Sequence, residues 1–503
     1  MHKIGIIDLG SNTTRLIVMA YEPGYSFRLI DEVSEVVRLA EGVGEEGLLK
    51  PRPIRRAVEA LRMFDAFCKG SGIERVIAVG TSAIREAANS AEFFAALRAA
   101  TDLNLEIIDS AQEAYYGYLG AVNALGLRDG LVFDTGGGST QVMEVRDRQL
   151  ASSFSRQAGV VRFTERYVKS DPISKRDLRG LREGVQLIFA DGPWPQLGAG
   201  ARLAGMGGTV RTLARMDQKR TAYPLDRIHG YVLTHTALAE IIELLVTRSR
   251  RERDSLPGMK ADRSDVTLAG AVIIQQVMER SGFNELVVSG HGLREGIFYK
   301  EFLSDQPVPL IDDVRSFSVR SLARLSNYEV AHAEKVRELS LALFDQLAPL
   351  HGYGAWEREL LDHAAILHDI GVVVGYYDHH KHSAYLVLNS GLLGFSHREL
   401  AILAYLVRNH RKGLADTAEF APILTFGDPL RIARLSALLR IAEFLERSKS
   451  QVVRALRIEI GADKVRILAD SDGDATVEIW EANRRTGLFV RAFERPVSIE
   501  AGT

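Results

Sequence analysis

The sequence predicts an α/β protein made of two similar halves, followed by a helical region and a small strand-containing tail. Three observations carry this. Short apolar runs ended by turn residues alternate with helical spacings through the first 300 positions. One strand–Asp–Gly-turn–strand pattern occurs twice, at a constant offset of 126 residues. After Gly290-His-Gly-Leu-Arg-Glu-Gly296 the pattern changes to leucine- and alanine-rich helical segments.

Each element has its own signal. Lys3-Ile-Gly-Ile-Ile7 reads as a buried strand, and Leu16-Ile-Val-Met-Ala20 as its hairpin partner around the Gly10 turn. Ile54, Ala57, Val58, Leu61, Phe64 and Phe67 recur at helical spacing. Arg75-Val-Ile-Ala-Val-Gly80 and Asn104-Leu-Glu-Ile-Ile108 read as further strands. The repeat lays Asp8-Leu-Gly-Ser-Asn-Thr-Thr14 on Asp134-Thr-Gly-Gly-Gly-Ser-Thr140, each behind an apolar strand, which favours a duplication. A third cluster, Leu203-Ala-Gly-Met-Gly-Gly-Thr209, reads as strand, tight turn and helix start, where backbone N–H groups favour an anion. Residues 310–450 are helical in pattern. Alternation returns in Leu456-Arg-Ile-Glu-Ile460, Val465-Arg-Ile-Leu468 and Ala475-Thr-Val-Glu-Ile-Trp480. The expected domains are therefore 1–124, 125–305, 306–450 and 451–503.

Composition narrows the function classes. A chain of 503 residues exceeds one hydrophobic core, and 46% hydrophobic with 25% charged residues is an ordinary globular profile. A net charge of −2 argues against a protein that coats nucleic acid, though a local basic groove remains compatible with it. The single Cys68 excludes an internal disulfide framework and a Cys-rich zinc module. No uncharged stretch reaches the roughly 18 residues of a membrane span. The N-terminus runs directly into strand sequence, so no signal peptide is expected. The expectation is a cytoplasmic multidomain enzyme with neither a membrane nor a nucleic acid as partner.

The motifs point to phosphate chemistry. Gly42-Val-Gly-Glu-Glu-Gly47 satisfies G-x-G-x-x-G, but Pro51 and Pro53 follow and no helix opens, so it reads as a loop. No P-loop string occurs. In the paired turns, Gly10 and Gly136-Gly-Gly138 let the backbone approach a phosphate. Ser11, Asn12, Thr13, Ser139 and Thr140 can donate to its oxygens, with Gly207, Gly208 and Thr209 as a third contact. Asp8 and Asp134, at the strand ends, suit Mg²⁺, which prefers oxygen ligands. Ordinary hairpins, with Asp and Asn satisfying turn amides, fit the same strings. Glu113 fits two roles equally: the last residue of a Ser110-x-x-Glu113 capping box, or a catalytic carboxylate. Arg85 fits a phosphate clamp or a solvated helix face. Arg52, Arg55 and Arg56, with Arg248-Ser-Arg-Arg-Glu-Arg253, fit either a polyanion channel or solvated faces, the second being favoured.

Taken together, Ile7-Asp-Leu-Gly-Ser-Asn12, Gly80-Thr-Ser-Ala-Ile-Arg85, Phe133-Asp-Thr-Gly-Gly-Gly-Ser-Thr140, Gly205-Met-Gly-Gly-Thr209 and Gly290-His-Gly-Leu-Arg-Glu-Gly296 resemble the exopolyphosphatase/guanosine pentaphosphate phosphohydrolase family. That resemblance implies two duplicated actin-like (ribonuclease H-like) lobes, a homodimer, and inorganic polyphosphate or guanosine pentaphosphate as substrate. It implies Glu113 as the catalytic glutamate, Asp134 as a holder of Mg²⁺, and the turns with Arg85 as the phosphate grip. The chain departs from the usual pattern at Gln112 and Gln141, where the family usually carries glutamate. Both departures bear on metal affinity and substrate.

The helical region is similar to HD-type metal-dependent phosphohydrolases through His332, His368-Asp369, His379-His-Lys-His382 and His410. Glu443 stands where such domains place a final aspartate. The implied ligand set is His332, His368, Asp369, His382, His410 and Glu443, and imidazole with carboxylate suits Mn²⁺ or Fe²⁺. A retained fold with a vacant or merely structural site is the other reading, and the favoured one, since the family resemblance implies it for many polyphosphatase relatives.

These readings converge on hydrolysis of a terminal phosphoanhydride, with Glu113 as the base for the attacking water. Three rivals stay open: an ATP-dependent kinase on the same scaffold, a non-catalytic polyphosphate or alarmone sensor, and a main activity at His368-Asp369.

Overall fold

The computed structural model describes residues 1–43 and 46–502; two positions of the Gly42-to-Gly47 loop, 44 and 45, lie outside them. The chain divides into two compact units, Met1–Val314 and Arg315–Thr503.

The first unit holds two sheets of related topology. In the first, β1 (His2–Leu9), β2 (Thr13–Glu22), β3 (Ser26–Val36), β4 (Arg75–Gly80) and β5 (Leu105–Ile107) lie in the order β3-β2-β1-β4-β5. β1 and β2 form the expected hairpin, pairing Ile7 with Leu16 and Asp8 with Arg15, and β4 runs parallel to β1. In the second, β6 (Gly130–Thr135), β7 (Thr140–Arg146), β8 (Gln149–Arg156), β9 (Arg202–Met206), β10 (Val232–Thr234) and β11 (Glu285–Val288) lie in the order β10-β11-β9-β6-β7-β8. Read from its other edge, this sheet repeats the first: an antiparallel meander, then a parallel strand beside its first member. β6 pairs antiparallel with β7, Asp134 facing Gln141, and parallel with β9. The duplication read from the sequence is thus a duplication of structure, and it places Asp8 and Asp134 at equivalent strand ends.

Helices cover the sheets with apolar stripes. Pro51–Gly70 buries Ile54, Ala57, Val58, Leu61 and Phe64, five of the six residues whose spacing predicted it, with Phe67 half-buried; the core it enters includes Ile7, Leu16 and Ala78. Fully burying one such Leu or Phe stabilises the fold by about 1.5–3 kcal/mol. Around the second sheet, Thr267–Ser281 is buried along most of its length, as befits a helix apolar on nearly every side.

The second unit is helical from Val314–Leu325 through Asp428–Phe444, as expected. It ends in a sheet of β12 (Val453–Ile460), β13 (Val465–Ser471) and β14 (Val497–Ala501), ordered β12-β13-β14. One expectation fails. The alternating run 475–480 lies at the start of a helix, Thr476–Asn483, and the third strand is β14, parallel to β13. Asp474 Oδ1 accepts from the Thr476 N–H at 2.9 Å, and the buried Glu478 carboxylate accepts from the Ser448 N–H at 3.1 Å. Those bonds fix a helical turn that hydrophobic alternation alone misreads. No helix among the described residues is long and apolar enough to cross a membrane.

Candidate active site

The glycine turns of the two repeats meet at one pocket in the first unit. The β1–β2 turn closes with the Gly10 N–H donating to the Thr13 carbonyl at 3.1 Å. The β6–β7 turn closes identically, Gly136 to Ser139, at 2.9 Å. Gly10, Ser11, Asn12 and Thr13 line the pocket from one repeat, Gly136, Gly137 and Ser139 from the other, and Gly207 and Gly208 from the start of the helix Gly208–Arg220. Ser11 Oγ and Ser82 Oγ lie 3.0 Å apart. Two glycines are required by this approach. A Cβ on Gly137 would stand 2.8 Å from the Ser11 Cβ. One on Gly207, whose φ is +94°, would stand 2.6 Å from Asp134 Oδ1. Thr140, Gly138 and Thr209, also expected to touch phosphate, support the turns instead. Thr140 Oγ1 donates to the Ala158 carbonyl at 2.6 Å, Gly138 lies against the Ser82 side chain, and Thr209 is buried against Gly270.

Three carboxylates share the pocket: Asp8, Glu113 and Asp134. Burial pushes Asp8 up to about 6, with Asp134 adding to the rise against Arg294 and Arg15. Asp134 is likewise raised, chiefly by burial. Glu113 is pushed up to about 7 by burial, opposed by Arg85 and reinforced by Asp134 and Asp8. The capping reading of Glu113 is overturned. The box on helix Ser110–Leu125 uses Asp109, which accepts from the Gln112 N–H at 2.7 Å, while Gln112 Oε1 accepts from the Asp109 N–H at 3.0 Å. Glu113 is left free of capping duty and accepts from Arg85 Nη1 at 3.0 Å. Gln112 is therefore a cap and does not line the pocket. Gln141 is buried opposite Asp134, the position that Arg15 holds opposite Asp8 in the first repeat.

Arg85 also donates to the Ile108 carbonyl at 2.8 Å and does not line the pocket. Arginines absent from the sequence-based list do: Arg15, Arg211, Arg263 and Arg294. Burial, and repulsion from neighbouring guanidinium groups, hold Arg211 and Arg263 down to about 10. Arg294 donates to Glu32 at 3.0 Å, and Glu295 caps its own helix by accepting from the Gly292 N–H at 2.8 Å. Arg15 and Arg294 sit beside or within motifs already visible in the sequence. Arg263 has no local signal. In the basic runs, Arg56 donates to the Val37 carbonyl and the buried Arg253 to the Arg248 carbonyl, while Arg52, Arg55, Arg250 and Arg251 are exposed.

The donor set suits magnesium. Asp8 and Asp134 offer oxygen donors, burial disfavours the charge of both, and Asp134 adds to the rise of Asp8; a divalent cation bound by them would relieve that cost.

A second cluster lies in the second unit. His332 and His368 place their Nε2 atoms 3.2 Å apart, and Glu443 Oε2 stands 3.1 and 3.0 Å from them. Asp369 adjoins this set and, through Oδ1, stands 3.0 Å from His379 Nε2 and 3.5 Å from His410 Nε2. Five of the six expected residues are thus brought together. His382 is not among them and is half-buried, its Cβ against Gly371. His379 takes the place, because its Nδ1 bonds back to the Tyr376 carbonyl at 2.9 Å and turns Nε2 inward.

Comparison with known proteins agrees with this geometry. The model of the Ppx/GppA phosphatase family matches residues 17–305, and that of Ppx/GppA phosphatase domain III matches 314–473. Exopolyphosphatase 2 of Mycobacterium tuberculosis is 31% identical over 313 residues, 59% of this chain and 97% of that protein. A guanosine-5'-triphosphate,3'-diphosphate pyrophosphatase of Aeromonas hydrophila is 26% identical over 454 residues, 88% of each. Among solved structures, the Aquifex aeolicus Ppx/GppA family member superposes with a TM-score of 0.53 at 28% identity, covering 61% of this chain and 99% of that one. An exopolyphosphatase from Cytophaga hutchinsonii gives 0.55 at 25% identity, covering 60% and 98%. This chain shares its fold with both structures. Since over half of the chain, including Glu113, Asp134 and the turns at 136–140 and 207–209, lies inside the family match, this protein belongs to the Ppx/GppA phosphatase family.

Proposed function

We propose that the first unit hydrolyses the terminal phosphoanhydride of inorganic polyphosphate or guanosine pentaphosphate in a Mg²⁺-dependent reaction. One observation carries this reading: Glu113, pushed up to about 7, shares a single pocket with the two glycine turns and the Asp8–Asp134 pair. Both named relatives act on molecules that end in such a phosphoanhydride.

In this mechanism the turn amides and the Ser11 and Ser139 hydroxyls bind the terminal phosphoryl oxygens. Arg211 and Arg263 offset the charge behind it. Asp8 and Asp134 would hold magnesium, which would supply further positive charge there. Glu113 takes a proton from the attacking water, whose oxygen bonds to the terminal phosphorus as the bridging P–O bond breaks. Orthophosphate leaves, and the shortened substrate keeps the bridging oxygen. Arg85 orients Glu113. A cytoplasmic homodimer is the form proposed for the protein, on the family resemblance.

The test is phosphate release from each substrate in Mg²⁺ by the full chain and by Glu113→Gln. We expect at least a 100-fold loss in kcat. Undiminished release by the variant removes Glu113 as the base, and tight binding without turnover by the unaltered chain supports a sensor instead.

A further inference from the structure

Five charged side chains meet at one end of the first hairpin, and they are paired unequally. Asp8 of β1 stands opposite Arg15 of β2, and Ile17 of β2 stands opposite Glu32 of β3. Arg15 and Ile17 are two residues apart and cross-strand partners share a face, so Asp8, Arg15 and Glu32 project from one face of the sheet. Arg294 and Glu295 come from the helix Leu293–Phe302, which packs on the hairpin with the Tyr21 and Phe298 rings 5.7 Å apart.

Both arginines lean to Glu32. Arg294 Nη1 donates to Glu32 Oε1 at 3.0 Å, and Arg15 Nη1 stands 4.0 Å from the same oxygen. Glu295 Oε1 is 3.9 Å from Arg294, while its other oxygen caps its own helix. Among the described residues Asp8 has neither an ion pair nor a side-chain hydrogen bond, and the two arginines act on it through charge alone.

That division has a physical cause. Arg294 is 7% exposed and Arg15 14%, and a buried guanidinium is costly unless an anion accepts from it. Arg15 Nε is buried without any partner. Glu32, 44% exposed, carries its charge at the rim with little desolvation and serves both cations. Without Glu32, the carboxylate left for them is Asp8. A guanidinium bonded there would occupy the oxygens that the proposed mechanism gives to magnesium.

The second repeat supplies the control. Asp134 faces Gln141, where Asp8 faces Arg15, and the residue in the register of Glu32 is Ser153, opposite Met143. The repeat that places a guanidinium beside its aspartate also places a carboxylate to draw it off. The repeat with a neutral amide has neither.

We propose that Glu32 is a positioning residue of the pocket: it draws the Arg15 and Arg294 guanidinium groups to the rim and keeps the Asp8 carboxylate open to a divalent cation. This inference rests on the reading of Asp8 as a magnesium ligand.

The test is Mg²⁺ binding to the full chain without substrate, followed by isothermal titration calorimetry, with Asp8→Asn identifying the heat that belongs to this site. We expect Glu32→Gln to weaken that binding about tenfold, and added Mg²⁺ to restore its kcat to within about twofold. In a chain carrying Arg15→Met and Arg294→Met, Glu32→Gln should leave Mg²⁺ binding unchanged, because no guanidinium remains to turn. Equal binding by Glu32→Gln and the unaltered chain overturns the role. So does a loss that persists without the arginines, which would make Glu32 a distant charge only. Folding is checked by circular dichroism. Should the triple variant not fold, Glu32→Asp decides: it keeps the charge but shortens the reach, so a loss like that of Glu32→Gln supports positioning and unaltered binding overturns it. Mg²⁺ binding that Asp8→Asn leaves intact overturns Asp8 as the ligand and this inference with it, an outcome distinct from a failure of Glu32→Gln alone.

Discussion

Arg85 Nη1 donates both to the Glu113 carboxylate, at 3.0 Å, and to the Ile108 carbonyl, at 2.8 Å. Pinned to backbone, this guanidinium fixes the carboxylate and does not face the pocket. In the proposed mechanism Arg85 is therefore a positioning residue. Replacing it with Met should lower kcat about 10- to 100-fold with KM within about twofold, since no substrate contact is lost. The same change removes a charge that lowers the Glu113 pKa, so the acidic limb of the pH profile should move upward. A large rise in KM with kcat intact would return Arg85 to the role of phosphate clamp.

The buried carboxylates set the direction of the pH dependence. Glu113, at about 7, must be ionised to accept a proton from water, so kcat/KM should fall roughly tenfold per unit below that pH and level off above it. Asp8, at about 6, protonates next, which in the proposed mechanism weakens magnesium binding. A bound cation favours the ionised form of each carboxylate. Profiles recorded at low and at saturating Mg²⁺ should thus show the limb at lower pH in the second. A limb that ignores Mg²⁺ would separate the metal from these groups.

Arg211 and Arg263 crowd the pocket in spite of a burial that opposes their charge, which fits an anionic ligand. Arg211→Met should raise KM for either substrate by about tenfold, one charge-assisted contact being worth about 1.5–3 kcal/mol. It should also flatten the dependence of kcat/KM on ionic strength, measured by phosphate release between low and high salt. An unchanged KM would confine Arg211 to packing.

What the sequence displayed follows from the range of the forces involved. The Asp8 and Asp134 turns are closed by bonds spanning three residues, so their glycines and hydroxyls are legible in a short string. Arg15 and Arg294 stand beside such strings. Arg263 reaches the pocket because a separate loop folds over Gly208, whose Cβ would stand 2.3 Å from the guanidinium carbon. No local pattern encodes that approach. Ser110-x-x-Glu113 and Asp109-x-x-Gln112 both fit a capping box, and only the backbone at Asp109 chooses between them. Among His379, His380 and His382, the one that joins the cluster is selected by a bond to the Tyr376 carbonyl, which spacing does not reveal. Where a contact depends on chain returning from far away, composition and period are silent.

The second unit owes part of its stability to one buried carboxylate. Asp428 Oδ2 accepts from Arg398 Nε at 2.8 Å and from the Thr425 N–H at 2.7 Å, and Oδ1 accepts from Arg398 Nη2 at 2.8 Å and from Arg431. Burial alone would raise its pKa, but these bonds, with the Arg398 charge, hold it down to about 2. A carboxylate depressed in the folded state contributes stability above its unfolded value, near 3.8, and loses that contribution as pH falls towards 2. Asp428→Ala leaves two guanidinium groups without their shared acceptor. It should cost about 3 kcal/mol, the lower end for a broken buried pair because both arginines reach solvent. Urea unfolding at pH 7 checks that cost. At pH 2 to 3 the gap between variant and unaltered chain should narrow, and a gap that stays constant with pH would mean the carboxylate charge is not what Arg398 and Arg431 hold.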